Sequence, residues 1–302
     1  MNPSMTLSAL IAQSAQQLES AHTAGQLSFG HGTTNAADEA AWLALWKLGL
    51  PLDTDVSDET HNTALSSAQI DDVKAFIDYR IASRKPAAYL TQEAWLQGVS
   101  FYIDERAIVP RSLIAEVLAE GTIDLWLDPR TTRVLDLCTG NGSLGILAAL
   151  AYPDITVQGL DLSKDALAVA QINIERHGLE GRMALAESDG LKNTDGVFDL
   201  ILCNPPYVNT QSMSKLPAEF KAEPALALAG GEDGMDFIRQ LLRDAPAHMS
   251  EHAVLVLEIG HERDYFEAAF PHVDVVWLST SAGDDQVLLL TRQAIVEGAN
   301  NP

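Results

Sequence analysis

Residues 273–292 read VDVVWLSTSAGDDQVLLLTR. Two apolar runs, 273–280 and 285–292, are separated only by SAGD. A parallel crossover needs a connection of helix length, so strands this close in sequence pair antiparallel. Upstream the spacing is different. RVLDLC (133–138), TVQGLD (156–161), RMALAESD (182–189), FDLILCN (198–204) and AVLVLEIG (253–260) alternate with helical stretches. Continuous apolar strands joined by helices form a parallel sheet covered on both faces. The pattern predicts an α/β domain with a seven-stranded mixed sheet, six strands roughly parallel and one inserted antiparallel.

Such a sheet is unusual for a dinucleotide dehydrogenase. It is the sheet of class I, Rossmann-like S-adenosylmethionine-dependent methyltransferases. The first strand, in VLDLCTGNGSLGILAA (134–149), runs into a glycine turn and then a helix. Gly140, Gly142 and Gly145 have G-x-G-x-x-G spacing, and Asp161 ends the next strand. Glycine lets a ligand approach the backbone, and the acid suits ribose hydroxyls. Taken alone, this half-site fits NAD or S-adenosylmethionine. Asp136, at the end of the first strand, favours the latter, because it faces the amino group of a methionine moiety where a pyrophosphate would gain nothing. The alternative for Asp136 is a buried acid capping the glycine loop. Ser188 and Asp189 end the third strand, where Asp189 accepts from an adenine amino group or else is a surface acid. Cys138 and Cys203 close the first and fourth strands and read as small buried hydrophobes.

The fourth strand ends in ILCNPPYV (201–208). Proline fixes φ and supplies no N–H, so Pro205-Pro206 ends the strand in a rigid extended segment. Ligands of open α/β sheets bind beyond the strands' carboxyl ends, near the switch point. There Asn204 and the Pro205 carbonyl can accept the two hydrogens of a planar amine or amide, preorganised without ordering cost. Tyr207 can stack on the planar group.

The 302 residues favour two domains, and a 47% hydrophobic content supports packed cores. Residues 1–90 read as a small helical domain. Leu7, Leu10, Ile11, Ala15 and Leu18 follow helical spacing. Asn35 caps a second helix with Trp42, Leu45, Trp46 and Leu48 inward, ended by Gly49 and Pro51. An acidic stretch, DTDVSDE (53–59), precedes a third helix with Ile70, Val73, Ile77 and Ile81 inward. Residues 91–110 contain a β-hairpin linker turning at Gln97-Gly98. The catalytic domain spans 111–302, opening on a helix with Ser112 as cap, and the tail EGANNP (297–302) is expected to fray.

Acidic residues outnumber basic ones 42 to 19, a net charge of −23. That surface repels nucleic acid and anionic lipid and attracts a basic partner. No basic, apolar leader precedes Lys47 and no apolar run has membrane-spanning length. Two cysteines make neither a disulfide framework nor a zinc cluster. The expectation is a cytoplasmic protein without a metal.

RKPAAYLT (84–91), VPRSLIAE (109–116), DLCTGNGSLGI (136–146), NPPYV (204–208), LPAEFKAEPALALAGGEDGMDFIR (216–239) and LEIG (257–260) together resemble the HemK-like protein-glutamine methyltransferases over nearly the whole chain. FGHGTTNAADEAAWLALWKLGLPLD (29–53) is similar to the PrmB branch, which methylates a glutamine amide of large-subunit ribosomal protein three. The sister branch, acting on peptide chain release factors, lacks such a segment. The resemblance implies that Asn204 and Pro205 bind the amide and that Pro206 and Tyr207 shape its pocket. It implies that Thr139, Gly140, Gly142, Asp161 and Asn204 touch S-adenosylmethionine. Where relatives often place a larger aromatic or apolar pair against adenine, this chain has Gly190-Leu191, so Leu191 is the substitute. Arg111 lines the cleft or pairs with a surface acid, and the loop residue His31 contacts substrate. The expected partner is a basic ribosomal protein, free or newly made, with no direct nucleic-acid contact and no membrane. The rival readings are the release-factor enzyme, a nucleic-acid adenine methyltransferase and a non-catalytic ribosome assembly factor.

Overall fold

The computed structural model describes residues 5–58, 60 and 62–299, so Glu59 of the acidic stretch and 300–302 of the tail lie outside the described residues. The chain divides into two compact units, Met1–Glu93 with Pro217–Ala222, and Ala94–Leu216 with Glu223–Pro302. The division differs from boundaries drawn at 90 and 110. The hairpin falls almost wholly in the second unit, and a short later segment belongs to the first.

The first unit contains helices α1 (Leu7–Thr23), α2 (Ala36–Leu48), α3 (Ser67–Ser83) and α4 (Ala87–Thr91). Each of the three long helices starts on a polar cap. Asn35 accepts the Asp38 N–H at 2.9 Å, and Ser66 forms a reciprocal capping box with Gln69. Gly49 ends α2 in the left-handed conformation at φ 68°. Leu10, Leu18, Leu43, Val73 and Ile77 fill the core. The α2 stripe is rotated from expectation. Leu43, Ala44 and Leu45 are buried, whereas Trp42, Trp46 and Leu48 pack at the rim, Trp46 stacked on Phe76 at 5.3 Å. Indoles are too large to seat where Ala40 and Ala44 let a neighbouring helix come close.

In the second unit, β1 (Glu93–Leu96) and β2 (Val99–Tyr102) form the hairpin. Gln97 and Gly98, at φ 49° and 73°, supply its turn. The large sheet comprises β3 (Arg133–Leu137), β4 (Thr156–Asp161), β5 (Met183–Glu187), β6 (Phe198–Cys203), β7 (Met249–Glu258), β8 (Val276–Thr280) and β9 (Gly283–Thr291), in the order β5-β4-β3-β6-β7-β9-β8. All neighbours pair parallel except β9, which is antiparallel to β7 and to β8. The connection that decides the fold is the two-residue turn Ser281-Ala282, closed by Thr280 opposite Gly283. β8 is shorter than its apolar run, as suits a strand at the sheet edge. Successive side chains go to opposite faces. Val134, Leu200, Val254 and Leu289 join one core, and Leu135, Ile201, Leu255 and Leu290 the other. Helices α5 (Ile114–Ala119), α6 (Ser143–Ala151) and α7 (Lys164–Arg176) follow the hairpin, β3 and β4. Chain order reverses between β3 and β6, which brings the glycine turn and Asn204 to adjacent strand ends. The terminal segment is helical over Arg292–Ala299.

Candidate active site

The glycine turn is held by two carboxylates. Asp136 is buried, and its Oδ2 accepts from the Thr139 hydroxyl and from the Gly145 N–H at 2.8 Å. It therefore braces the loop from below, the alternative weighed from sequence. Burial pushes its carboxyl up to about 7 against the pull of those hydrogen bonds. Asp161 accepts the Gly140 N–H at 2.9 Å through Oδ2 and the Ser163 N–H at 2.8 Å through Oδ1. Burial raises its pKa, and the three backbone donors around it lower it. Gly140 and Gly142 adopt φ 55° and 84°, open only to glycine without strain. A Cβ at Gly145 would sit 2.6 Å from the Met183 side chain, so the third glycine serves the helix–sheet packing.

At the end of β5, Ser188 is buried and donates to the Gly190 carbonyl at 2.7 Å. Asp189 is exposed and pairs with Lys192. Leu191 is buried in the core beneath the sheet rather than presented at the surface. Cys138 (φ 60°) follows Leu137, which pairs with Cys203. Cys203 is buried in the core and Cys138 packs partly buried against it, and the neighbouring thiol and burial raise the Cys138 pKa well above the usual thiol range.

Beyond β6, Asn204 is half-buried and Pro205 buried. The tetrad is clamped at its far end. Tyr207 donates to Glu258 Oε1 at 3.2 Å, the Val208 N–H donates to the Leu228 carbonyl at 2.8 Å, and the Val208 carbonyl accepts the Gly230 N–H at 2.9 Å. A Cβ at Gly230 would lie 2.7 Å from the Tyr207 backbone, one at Gly260 2.5 Å from its ring, and one at Gly234 would overlap its carbonyl oxygen. Tyr207 is thus seated against glycines and anchored by its hydroxyl, which burial and Glu258 keep protonated.

The two residues expected at the substrate have partners of their own. Arg111 makes a bidentate pair with Glu223 at 2.6 and 2.7 Å, and that acid is buried rather than at the surface. His31 is 3% exposed inside the first unit, its ring 4.3 Å from that of Phe220. The glycines beside it accommodate aromatics, Gly30 facing Phe220 and Gly32 facing Trp42. Ser112 lies two residues before the start of its helix, whose cap position is Leu113 rather than the expected Ser112; it gives its hydroxyl to Glu258 at 2.5 Å and accepts the Ile114 N–H at 3.2 Å. Glu258 and Glu223 are the site residues that reading by residue type passed over. Their only signal was membership of the LEIG and EPAL stretches.

The profile of the methyltransferase small domain matches residues 121–231. The ribosomal protein uL3 glutamine methyltransferase of Bordetella pertussis is 50% identical over 274 residues, covering 90% of this chain and 91% of its own. The enzyme of that name from Neisseria meningitidis serogroup B (strain MC58) is 46% identical, covering 89% of each. This chain belongs to the ribosomal protein uL3 glutamine methyltransferase family. A solved structure, the hMettl16 catalytic domain in complex with MAT2A 3'UTR hairpin 1, superposes with TM-score 0.54 at 13% identity over 83% of this chain and 90% of its own. That likeness concerns the fold alone. Membership in the uL3 glutamine methyltransferase family makes the chain an enzyme with a class I methyltransferase fold. Among the described residues no helix is long and apolar enough to cross a membrane, and no three metal-ligating side chains form a group.

Proposed function

We propose that the chain transfers a methyl group from S-adenosylmethionine to the side-chain amide nitrogen of a glutamine in ribosomal protein uL3. The observation that carries this reading is the clamped Asn204–Tyr207 tetrad beside the glycine turn, in a chain of this family. The donor set fits the cofactor. Asp161 accepts backbone donors on both oxygens and keeps lone-pair capacity for ribose hydroxyls. Gly140 and Gly142 leave the turn bare for the methionine portion, Asp136 lies under it, and Thr139, Ser188 and Asp189 complete the rim.

When bound, S-adenosylmethionine supplies an electrophilic methyl group on a sulfonium. The chain's own residues have to deal with a poor nucleophile, because an amide lone pair is delocalised. Asn204 Oδ1 and the Pro205 carbonyl accept the two amide hydrogens, which fixes the nitrogen's orientation and stabilises the positive charge it gains. The proline ring keeps that carbonyl aimed, so positioning supplies much of the acceleration. The proton leaves late, to water or to a carbonyl of the tetrad.

The acidic chain and a basic ribosomal protein attract one another before the latter is wrapped in RNA. Substrate is therefore the free or newly made protein, with the first unit contributing to its recognition. The test is incubation with labelled S-adenosylmethionine and, separately, free uL3, intact large subunits and a release factor, with the methylated glutamine located by mass spectrometry. Labelling of free uL3 above the other two is expected. Preference for mature subunits overturns the timing, and preference for the release factor overturns the substrate.

A further inference from the structure

Pro205 and Pro206 lack the backbone donors by which a chain segment is normally fastened. The aim of the Asn204 amide and the Pro205 carbonyl is therefore set from the segment's two ends. The near end is fixed by β6 in register with β3, Cys203 beside Leu137. At the far end the Val208 backbone is bonded to Leu228 and Gly230, and the Tyr207 side chain is anchored by its hydroxyl, whose hydrogen-bond partner among the described residues is the buried carboxylate of Glu258. That carboxylate is itself immobilised. Oε2 accepts the Ser112 hydroxyl at 2.5 Å and the Leu113 N–H at 2.9 Å, and Oε1 is left for Tyr207. Gly260, two residues further along the chain, carries no side chain where the Tyr207 ring lies.

We propose that Glu258 is a positioning residue for methyl transfer: through the Tyr207 hydroxyl it fixes the far end of the Asn204–Tyr207 tetrad and so the aim of the two acceptors that orient the amide. This rests on the tetrad being the methyl-transfer site. Three segments that are remote in sequence, 112–113, 207 and 258–260, converge on one carboxylate for this purpose. A carboxylate serves because it accepts on both oxygens, three donors in all. A misplacement of the order of 1 Å at a reacting group can cost about 10²-fold in rate, so a single hydrogen bond at the anchor has leverage on turnover.

The test is a cycle on the full chain, with turnover, substrate KM, cofactor affinity and thermal stability measured for Tyr207→Phe, Glu258→Gln, Glu258→Ala and Glu258→Ala with Tyr207→Phe. Turnover is expressed relative to wild type on whichever acceptor the wild-type enzyme labels in a cell extract. Tyr207→Phe is expected to lower kcat by about tenfold to 10²-fold with KM and cofactor affinity nearly unchanged. Glu258→Gln is expected to keep most of the turnover, because the Tyr207 hydroxyl can rotate to accept from the amide. Adding Tyr207→Phe to Glu258→Ala is expected to lower kcat no further, since the second change removes a bond already lost. Wild-type kcat in a folded Tyr207→Phe variant overturns the proposal even if Glu258→Ala fails to fold, and so do independent, multiplying losses in the double variant. Labelling of an acceptor other than uL3 overturns only the substrate reading, and no labelling by wild type overturns both.

Discussion

Asp136 has two opposed influences on its proton, burial raising its pKa and two donors lowering it, and burial prevails. The consequence for stability has a definite sign. In the unfolded chain an aspartate loses its proton near pH 4, whereas in the folded chain Asp136 keeps it to about 7. Between those values the folded state binds one more proton, so stability falls as pH rises and levels off above about 7. The total is of order a few kcal/mol. Asp136→Asn keeps an oxygen for Thr139 and Gly145 and carries no such proton. Denaturant unfolding at pH 5.5 and 8 should show the variant gaining on wild type at the higher pH, and a constant difference would sink the assignment. At Gly234 (φ 81°) the expectation concerns activity. Gly234→Ala should push Tyr207 out of place and abolish most turnover while calorimetry still finds cofactor affinity near wild type. Loss of both together would place Gly234 in the folding of the site rather than in its aim. The acceptors and glycines of the site were legible in the sequence because residue type and spacing carry their role. Glu223, Glu258 and His31 were not, because burial depends on what the rest of the chain brings alongside. An acid held by three donors looks the same in a sequence as an acid in water.

Among the elements, the strands were the most readable, since continuous apolar runs and a connection of four residues leave little choice of pairing. The Ser281-Ala282 turn decided direction, and direction decided the fold. Helix starts were readable where a side chain does the capping. Asn35→Ala should lower stability by about 1 kcal/mol, read as a shift in the unfolding midpoint with activity preserved. A shift indistinguishable from zero would mean that solvent replaces the cap. The rotated stripe of α2 shows where periodicity alone misleads. Spacing identifies an apolar face to within about a residue's width, and side-chain volume then chooses which residue of the face reaches the centre. The short helices Thr210–Lys215 and Ala218–Lys221 were unreadable for a different reason. Segments of one or two turns get their stability from packing rather than from propensity, and the partners of Glu219 lie far away in the sequence.

For the whole molecule, a charge of −23 sets how substrate arrives more than how tightly it stays. Turnover on free uL3 at limiting substrate should fall steeply between low and physiological salt, while cofactor affinity changes little. Equal sensitivity of both would mean salt acts on the fold instead. In the first unit, Arg80 is 1% exposed and lies 2.9 Å from Glu39 and 3.5 Å from Glu219, and Arg84 pairs with Glu219 from the other side. Arg80→Ala strands the buried carboxylate of Glu39 and leaves Glu219 to Arg84, and should cost about 3–5 kcal/mol, visible as early unfolding. A loss near zero would show the carboxylate relaxing to solvent. The same ion pairs bear on synthesis. The ribosome delivers a chain from its amino end, and α3 emerges long before Glu219, which is 135 residues further on than Arg84. Until that segment is made, Arg80 has Glu39 but not Glu219, and the His31 ring lacks the Phe220 ring it packs against. The first unit is thus still incomplete when Glu93 has been made. Its last piece arrives only after β6 and the tetrad have been synthesised, so no nascent chain too short to carry Asn204 can present a completed amino-terminal unit.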